Sequence, residues 1–543
     1  MKHASVSALT LALLGIVLLC PERAIAQQEL FKLTASDGET DDRFGQGVGI
    51  SGNLAIVGAY QDDDLGGRSG SAYLFDVRTG QELLKLTAAD GAAEDWFGES
   101  VSISGSRAIV GAQGDDDNGF QSGSAYVFDV ATGQQLLKLT ASDGNVAHRF
   151  GWSVAISGDR AVVGANEADG LVSLAGAAYV FDVTTGQELF KLIASDGALQ
   201  DYFGHSVGIS GSRVVVGARQ DDDLGDGSGS AYVFDVASGQ QLFKLTASDG
   251  ASGDWFGHSA AISGHRAVVG ALFYGSWSGS AYVFDVTTGQ QLYKLTASDA
   301  AWGDLFGASV AISSQHVVVG AKQHNNEIGA TFVFDARTGH ELSEHAASDG
   351  VSGDLLGWSI ALSGGRFIAG APRDDGLGID SGSAYIFDIP YKAFCFGDGS
   401  DGICPCGNTG GTGEGCGNSG GVGGLLQVEG SGSVAADDLI FLALNLLPAQ
   451  PALLFVGLNA INGGNGVVFG DGLRCAGGSV VRLGFSSPDA NGDASWGPGL
   501  NSSGGWTPGD KRYFQVWYRD PGANSPCGMF FNLTNGLEVI FAR

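Results

Sequence analysis

Between Glu29 and Asp388 short apolar runs alternate with polar positions, and the runs recur as one unit written seven times. The copy beginning at Leu242 reads LFKLTASDGASGDWFGHSAAISGHRAVVGA, then a variable loop, then GSAYVFDV. A Phe-Gly or Leu-Gly pair marks each copy at Gly45, Gly98, Gly151, Gly204, Gly257, Gly307 and Gly357, spaced 53, 53, 53, 53, 50 and 50 residues apart. Each copy predicts four strands punctuated by Gly, Asp, Ser and Asn turns. In the second copy they cover residues 100–104, 108–112, 124–129 and 135–140. The first strand alternates small and branched side chains (Ser-Val-Ser-Ile-Ser). The third and fourth carry the bulk, in Ala-Tyr-Val-Phe and Leu-Leu-Lys-Leu. That gradient suits a wedge whose inner strand is crowded near an axis. No helical periodicity follows the N-terminal segment.

The copies are offset. A Leu-Phe-Lys-Leu-Thr strand precedes the first Phe-Gly, at residues 30–34, and none follows the last Gly-Ser-Ala-Tyr-Ile-Phe-Asp at residues 382–388. Counting the early strand as the fourth of the last unit yields seven complete four-stranded blades and leaves no open sheet edge. A linear solenoid would need atypical capping repeats, and none is visible. The expected fold is all-β: a seven-bladed β-propeller closed by an N-terminal strand.

The Phe-Gly pairs, the Val-Gly-Ala strings (Ile368-Ala369-Gly370-Ala371-Pro372 in the last copy) and Gly-x-Ala-Tyr-x-Phe resemble the FG-GAP repeat family of integrin α-chains and bacterial exported proteins. The resemblance covers about two thirds of the chain and implies a propeller used in adhesion or ligand binding. Calcium-binding members carry an Asp-x-Asp-x-Asp-Gly-type loop between Phe-Gly and Gly-Ala. Here that interval is a tight turn, as at Ile156-Ser157-Gly158-Asp159-Arg160, so the family's calcium site does not carry over.

The ends add an address and a second domain. Lys2 and His3 precede an apolar run over residues 9–19, and Ala24-Ile25-Ala26 forms a cleavage site, so residues 1–26 read as a signal peptide. No later segment is long and apolar enough to be a membrane helix. Residues 27–390 form the propeller and 391–543 a Cys/Gly-rich all-β domain, for which a sandwich is favoured over a barrel. Its six cysteines, Cys395, Cys404, Cys406, Cys416, Cys475 and Cys527, read as three disulfides in an exported chain, with zinc the alternative. Residues 27–393 hold 46 acidic against 20 basic side chains. That balance excludes nucleic acid as a partner.

Alternate loops of an up-and-down blade emerge at opposite ends. The Asp-rich loops between second and third strands therefore share a face with the links between blades. The first set includes Asp62, Asp64, Asp115, Asp117, Asp221 and Asp223, and the second Asp37, Asp90 and Asp196. These carboxylates admit two readings, solvated turn-formers or calcium ligands. Arg107, Arg160, Arg213, Arg266 and Arg366 fall on the other face, so the ring is expected to be electrostatically two-sided. A second candidate is the position after Phe-Gly, which varies while its surroundings do not: Gln46, Glu99, Trp152, His205, His258, Ala308 and Trp358. It should ring the mouth of the central channel, where Trp faces and polar groups suit a glycan or peptide.

Catalytic signals are weak. Gly417-Asn418-Ser419-Gly420-Gly421 matches a nucleophile-elbow string only within a glycine run, and no His follows residue 345. Asp489-Ala490-Asn491-Gly492-Asp493 lacks a full calcium ligand set. The expected function is that of an exported, non-enzymatic binding or scaffold protein engaging a protein or glycan at the cell surface. The alternatives are a propeller enzyme acting on polysaccharide, with Glu99, His205 and His258 as its first suspects, and a calcium-stiffened structural protein.

Overall fold

A computed structural model describes residues 29–541 apart from 390, 400–402, 412, 430–433, 435–436, 438 and 522–526; the signal-peptide segment lies outside the described residues. The repeats build seven four-stranded antiparallel sheets. In blade 2 the strands are Phe97–Ser104, Arg107–Ala112, Ser124–Asp129 and Gln135–Leu139. Blade 7 takes Ser359–Ser363, Arg366–Ala371 and Ser383–Asp388 from the last copy, and its outer strand is Glu29–Leu33. The ring is therefore closed by the start of the chain, as the offset of the copies implies.

The repeat's most constant residues are those at which neighbouring blades touch. The Phe of each Phe-Gly is buried against the Tyr and Phe of its own third strand, as Phe150 is edge-on to Tyr179 and Phe181 at 5.5 and 5.7 Å. Each apolar core lies between blades: Ile109, Val127 and Leu139 of blade 2 pack with Phe150, Val163 and Tyr179 of blade 3. Burying one such side chain contributes about 2 kcal/mol. Across each junction a glycine before the third strand bridges the next blade's Phe-Gly segment, from Gly70 with Phe97 round to Gly382 with Phe44. Serine hydroxyls add a clamp in six of the seven junctions. Ser100 Oγ donates to the Gly151 carbonyl at 2.7 Å, and Ser359 Oγ to that of Gly45 at 2.8 Å. At the seventh, Gly47 stands where the others have Ser.

Blades 5 and 6, whose repeats are three residues shorter, replace the Asp-rich loop with one-turn helical segments, Tyr274–Trp277 and His324–Glu327. These were not legible from helical periodicity, because one turn is too short to show any.

The C-terminal domain is a two-layer β structure. Tyr391–Phe394, Gly536–Ile540, Lys511–Arg519, Ala452–Gly457 and Val481–Ser486 form one sheet in that order. Leu425–Glu429, Ile440–Leu444 and Ala494–Trp496 form the other, and Phe441 stacks on Phe514 at 4.3 Å in the shared core. The cysteines pair as Cys395–Cys475, Cys404–Cys416 and Cys406–Cys527. Ser419 sits in a loop with no following helix, its amide bonded to Asp520. Asp489 caps its own turn by accepting the Asn491 and Asp493 amides.

This domain docks under blade 6, which explains why that copy departs from the repeat. Where five other copies have Arg in the tight turn, His316 donates from Nε2 to the Tyr391 carbonyl at 3.1 Å. Arg337 lies 3.7 Å over the Phe396 ring and near Asp398. The docked face is that of the tight turns, opposite the Asp-rich loops.

Candidate functional site

The Asp-rich loops and the inter-blade links converge on the upper face, and each cluster encloses a lysine. In blade 2, Lys138 Nζ lies 2.8 Å from Asp90, 2.8 Å from Asp115 and 2.5 Å from Asp117. Lys85 does the same among Asp37, Asp62 and Asp64, and Lys244 among Asp196, Asp221 and Asp223. The innermost Asp also accepts the buried Tyr hydroxyl, as Asp115 does from Tyr126 at 2.8 Å. Burial alone would lower the Lys138 pKa, but its hydrogen bonds to Asp115, Asp117 and Asp90 hold it above the usual lysine range. The carboxylates assigned to calcium from the sequence thus surround an ammonium belonging to the fourth strand. The chain itself brings one positive charge to each set of three carboxylates.

Blade 6 inverts this arrangement. Glu344 stands in the lysine's place and Phe332 in the tyrosine's, while His324 provides the cation, 3.1 Å from Asp304 and 3.5 Å from Glu344. Burial would depress the imidazole, but the bonds to Glu344 and Asp304 outweigh it and raise the pKa to about 9. A folded pKa above the unfolded one gives stability fully present below pH 6.5 and lost as pH rises towards 9. We expect a loss on the order of 2 kcal/mol across that window, measured by urea unfolding at successive pH values. The His324→Asn variant should lack this component; a wild type and variant with parallel pH profiles would contradict it.

The arginines of the lower face are also paired. Arg160, Arg213 and Arg366 bond Asp182, Asp235 and Asp388 at the ends of the third strands. The lower-face charges are thus matched one to one, whereas each upper cluster sets three carboxylates round one ammonium.

The channel mouth is different. The residue after each Phe-Gly lies on the inner strand or, as for Trp152 and Trp358, immediately before it, and the inner strands contact one another round the ring. Trp152, His205 and His258 form a contiguous arc, with centroids 5.4 and 5.0 Å apart. Glu99 hydrogen-bonds the Gln113 amide, and Trp358 carries the Lys322 ammonium 3.9 Å over its ring. Ala308 instead joins Leu272 and Leu305 in an apolar patch, and the half-buried Gln46 lies outside the arc.

Two further variable rings line this mouth and were missed in the sequence. One is the residue before Phe-Gly: Arg43, Trp96, Arg149, Tyr202, Trp255, Leu305 and Leu355. All seven have φ between 53 and 62°, a left-handed backbone that costs a bulky residue about 1 kcal/mol. The other follows Val-Gly-Ala and includes Gln113, Asn166, Arg219 and Lys322. Both were detectable by the same signal, disagreement between copies at an otherwise constant place.

The mouth is crowded with incompletely satisfied polar groups. His205 Nδ1, His258 Nδ1, Arg219 Nε and Asn166 Oδ1 are buried without a hydrogen-bond partner. Burial, reinforced by neighbouring cations, keeps His205 well below the usual imidazole range and His258 down to about 3. Burial raises Glu99 to about 7, and burial with the nearby Arg373 lowers Lys322 to about 8.

The architecture is therefore a seven-bladed β-propeller that displays variable side chains around one end of its channel, a class of fold that typically mediates binding. FG-GAP repeats match at residues 28–75, 81–128, 134–181, 187–234, 240–284, 290–334 and 342–387, and the chain belongs to the FG-GAP repeat family. Among curated proteins, none matches this chain.

Proposed function

We propose that this is an exported, non-enzymatic binding protein whose propeller engages a glycan or protein partner at the upper channel mouth. The observation that carries this reading is the gathering, at the positions where the copies differ, of aromatic rings and buried unpartnered polar atoms. Buried polar groups without partners cost free energy, and a ligand that supplies those partners recovers it. The docked C-terminal domain leaves this face open, in keeping with a domain that spaces or attaches the propeller. A catalytic reading fits less well: neutral His205 and His258 face each other and cations, and among the described residues no carboxylate bonds either ring.

The test is a glycan and cell-surface protein array probed with the mature chain, alongside Trp152→Ala and Trp358→Ala. Either substitution should weaken binding at least tenfold. Binding that ignored both would remove the mouth as the site.

A further inference from the structure

Building on the channel mouth as the binding site, we infer that its ligand is an acidic polysaccharide, a polymer carrying anionic groups on its sugar rings. Two independent features lead there.

The first is charge. Although the chain carries a net charge of −31, the mouth collects several cations, with Glu167 the acidic group that acts on Arg149 and Arg219. Among the described residues Arg219, Lys322 and Arg373 take part in no ion pair or hydrogen bond, unlike the lysines of the Asp clusters a short distance outward. The Arg219 guanidinium lies instead 4.5 Å over the Trp255 ring and 5.5 Å over Tyr202, and Lys322 lies over Trp358. Arg149 sits over Trp152 at 5.8 Å and is partly offset by Glu167. Cations that outnumber the carboxylates beside them in a partly buried mouth favour an anion.

The second is the aromatic path. From Trp255 rings continue outward to Phe273 at 4.5 Å, Trp277 at 5.0 Å and Trp302 at 6.3 Å, the last two nearly parallel. Trp277 and Trp302 are 53% and 77% exposed on the rim of blades 5 and 6. This path runs beside the shorter repeats, which lack the Asp-rich loop; the blade 6 carboxylates Asp304 and Glu344 converge on His324 instead. Pyranose rings present an apolar C–H face to an aromatic surface and an anionic group at the edge. A path of flat rings ending among paired Trp–cation sets fits a succession of such units. An acidic peptide would use the cations but leave the exposed tryptophans without a role.

The full mature chain should be titrated with polygalacturonate, dextran sulfate, neutral dextran and poly-L-glutamate, following tryptophan fluorescence and affinity electrophoresis. Polygalacturonate or dextran sulfate should bind, the two arms distinguishing carboxylate from sulfate, with affinity falling as salt rises. Arg219→Gln with Lys322→Met should weaken binding at least tenfold, and Trp302→Ala should weaken it separately. Arg219→Lys with Lys322→Arg should largely restore it, which guards against misfolding as the cause. Preferential binding of poly-L-glutamate, indifferent to Trp302→Ala, would assign an acidic peptide and overturn the inference. Binding of a neutral glycan or a protein, lost in Trp152→Ala but unchanged in the cation variants, would overturn it while keeping the mouth as the site. If neither these polymers nor the array yields a ligand, both readings fall.

Discussion

Replacing Gly164 by Ala should lower propeller stability by about 3 kcal/mol or more, although one methyl group is added to a strand, where alanine is ordinarily no worse than glycine. A Cβ on Gly164 would stand 2.1 Å from the Gly204 carbonyl oxygen of the next blade and 2.3 Å from Ser153 Oγ. Both are obstacles that cannot yield cheaply, because Ser153 Oγ donates to that same carbonyl at 2.8 Å. The same collision recurs at Gly111, Gly217, Gly270, Gly320 and Gly370. That is the physical reason the Val-Gly-Ala glycine scarcely varies within the chain. Gly67→Ala, in open space and without a left-handed backbone, is the control and should be close to neutral. Denaturant midpoints of the two variants compare them directly, and equal midpoints would refute the interlock.

The second large effect concerns Lys138. Lys138→Met keeps the aliphatic stem but removes the ammonium, leaving Asp115, with a 5% exposed side chain, beside Asp90 and Asp117. Breaking such a pair strands a charge, at a cost here of about 2–3 kcal/mol after allowance for the exposed outer carboxylates. The variant should also acquire a property the parent lacks. With the ammonium gone, three convergent carboxylates suit a hard cation. At a calcium concentration ten times its Kd, linkage returns about 1.4 kcal/mol. Melting curves in calcium and in EDTA should therefore coincide for the parent and separate for Lys138→Met. A parent that melts earlier in EDTA would restore calcium to its Asp clusters.

Much of the architecture could be read from the chain because it depends on counting. Seven copies and one displaced strand define a closed ring whatever the side chains do. The limits of that reading are equally specific. The lysine of each Leu-x-Lys-Leu strand, Lys138 among them, lies over twenty residues from the Asp loop it neutralises. Yet the copies carried a hint. The copy that has Glu344 for Lys also has Phe332 for Tyr, so these two positions change together, while copies 3 and 5 lack the Asp triplet and keep both residues. The channel mouth was half legible. Variation after Phe-Gly drew attention to Trp152, His205 and His258, but Arg219 and Lys322 are brought beside them only by a second strand folding back. Their freedom from ion pairs is a matter of three-dimensional spacing that no local pattern carries. His316, which stands in blade 6 where five copies have Arg, records the docking of the C-terminal domain, whereas Glu344 and Phe332 belong to the opposite face.

Closure by the first strand also has a mechanical side. Glu29 pairs opposite Phe387 and Leu33 opposite Ala384, so both ends of the propeller leave the same sheet at the same end of one antiparallel pair. A pull applied between whatever precedes Glu29 and the C-terminal domain would peel that pair open one hydrogen bond at a time. It would not shear all the bonds together, so tension would open the ring at blade 7 while the other six blades kept their sheets.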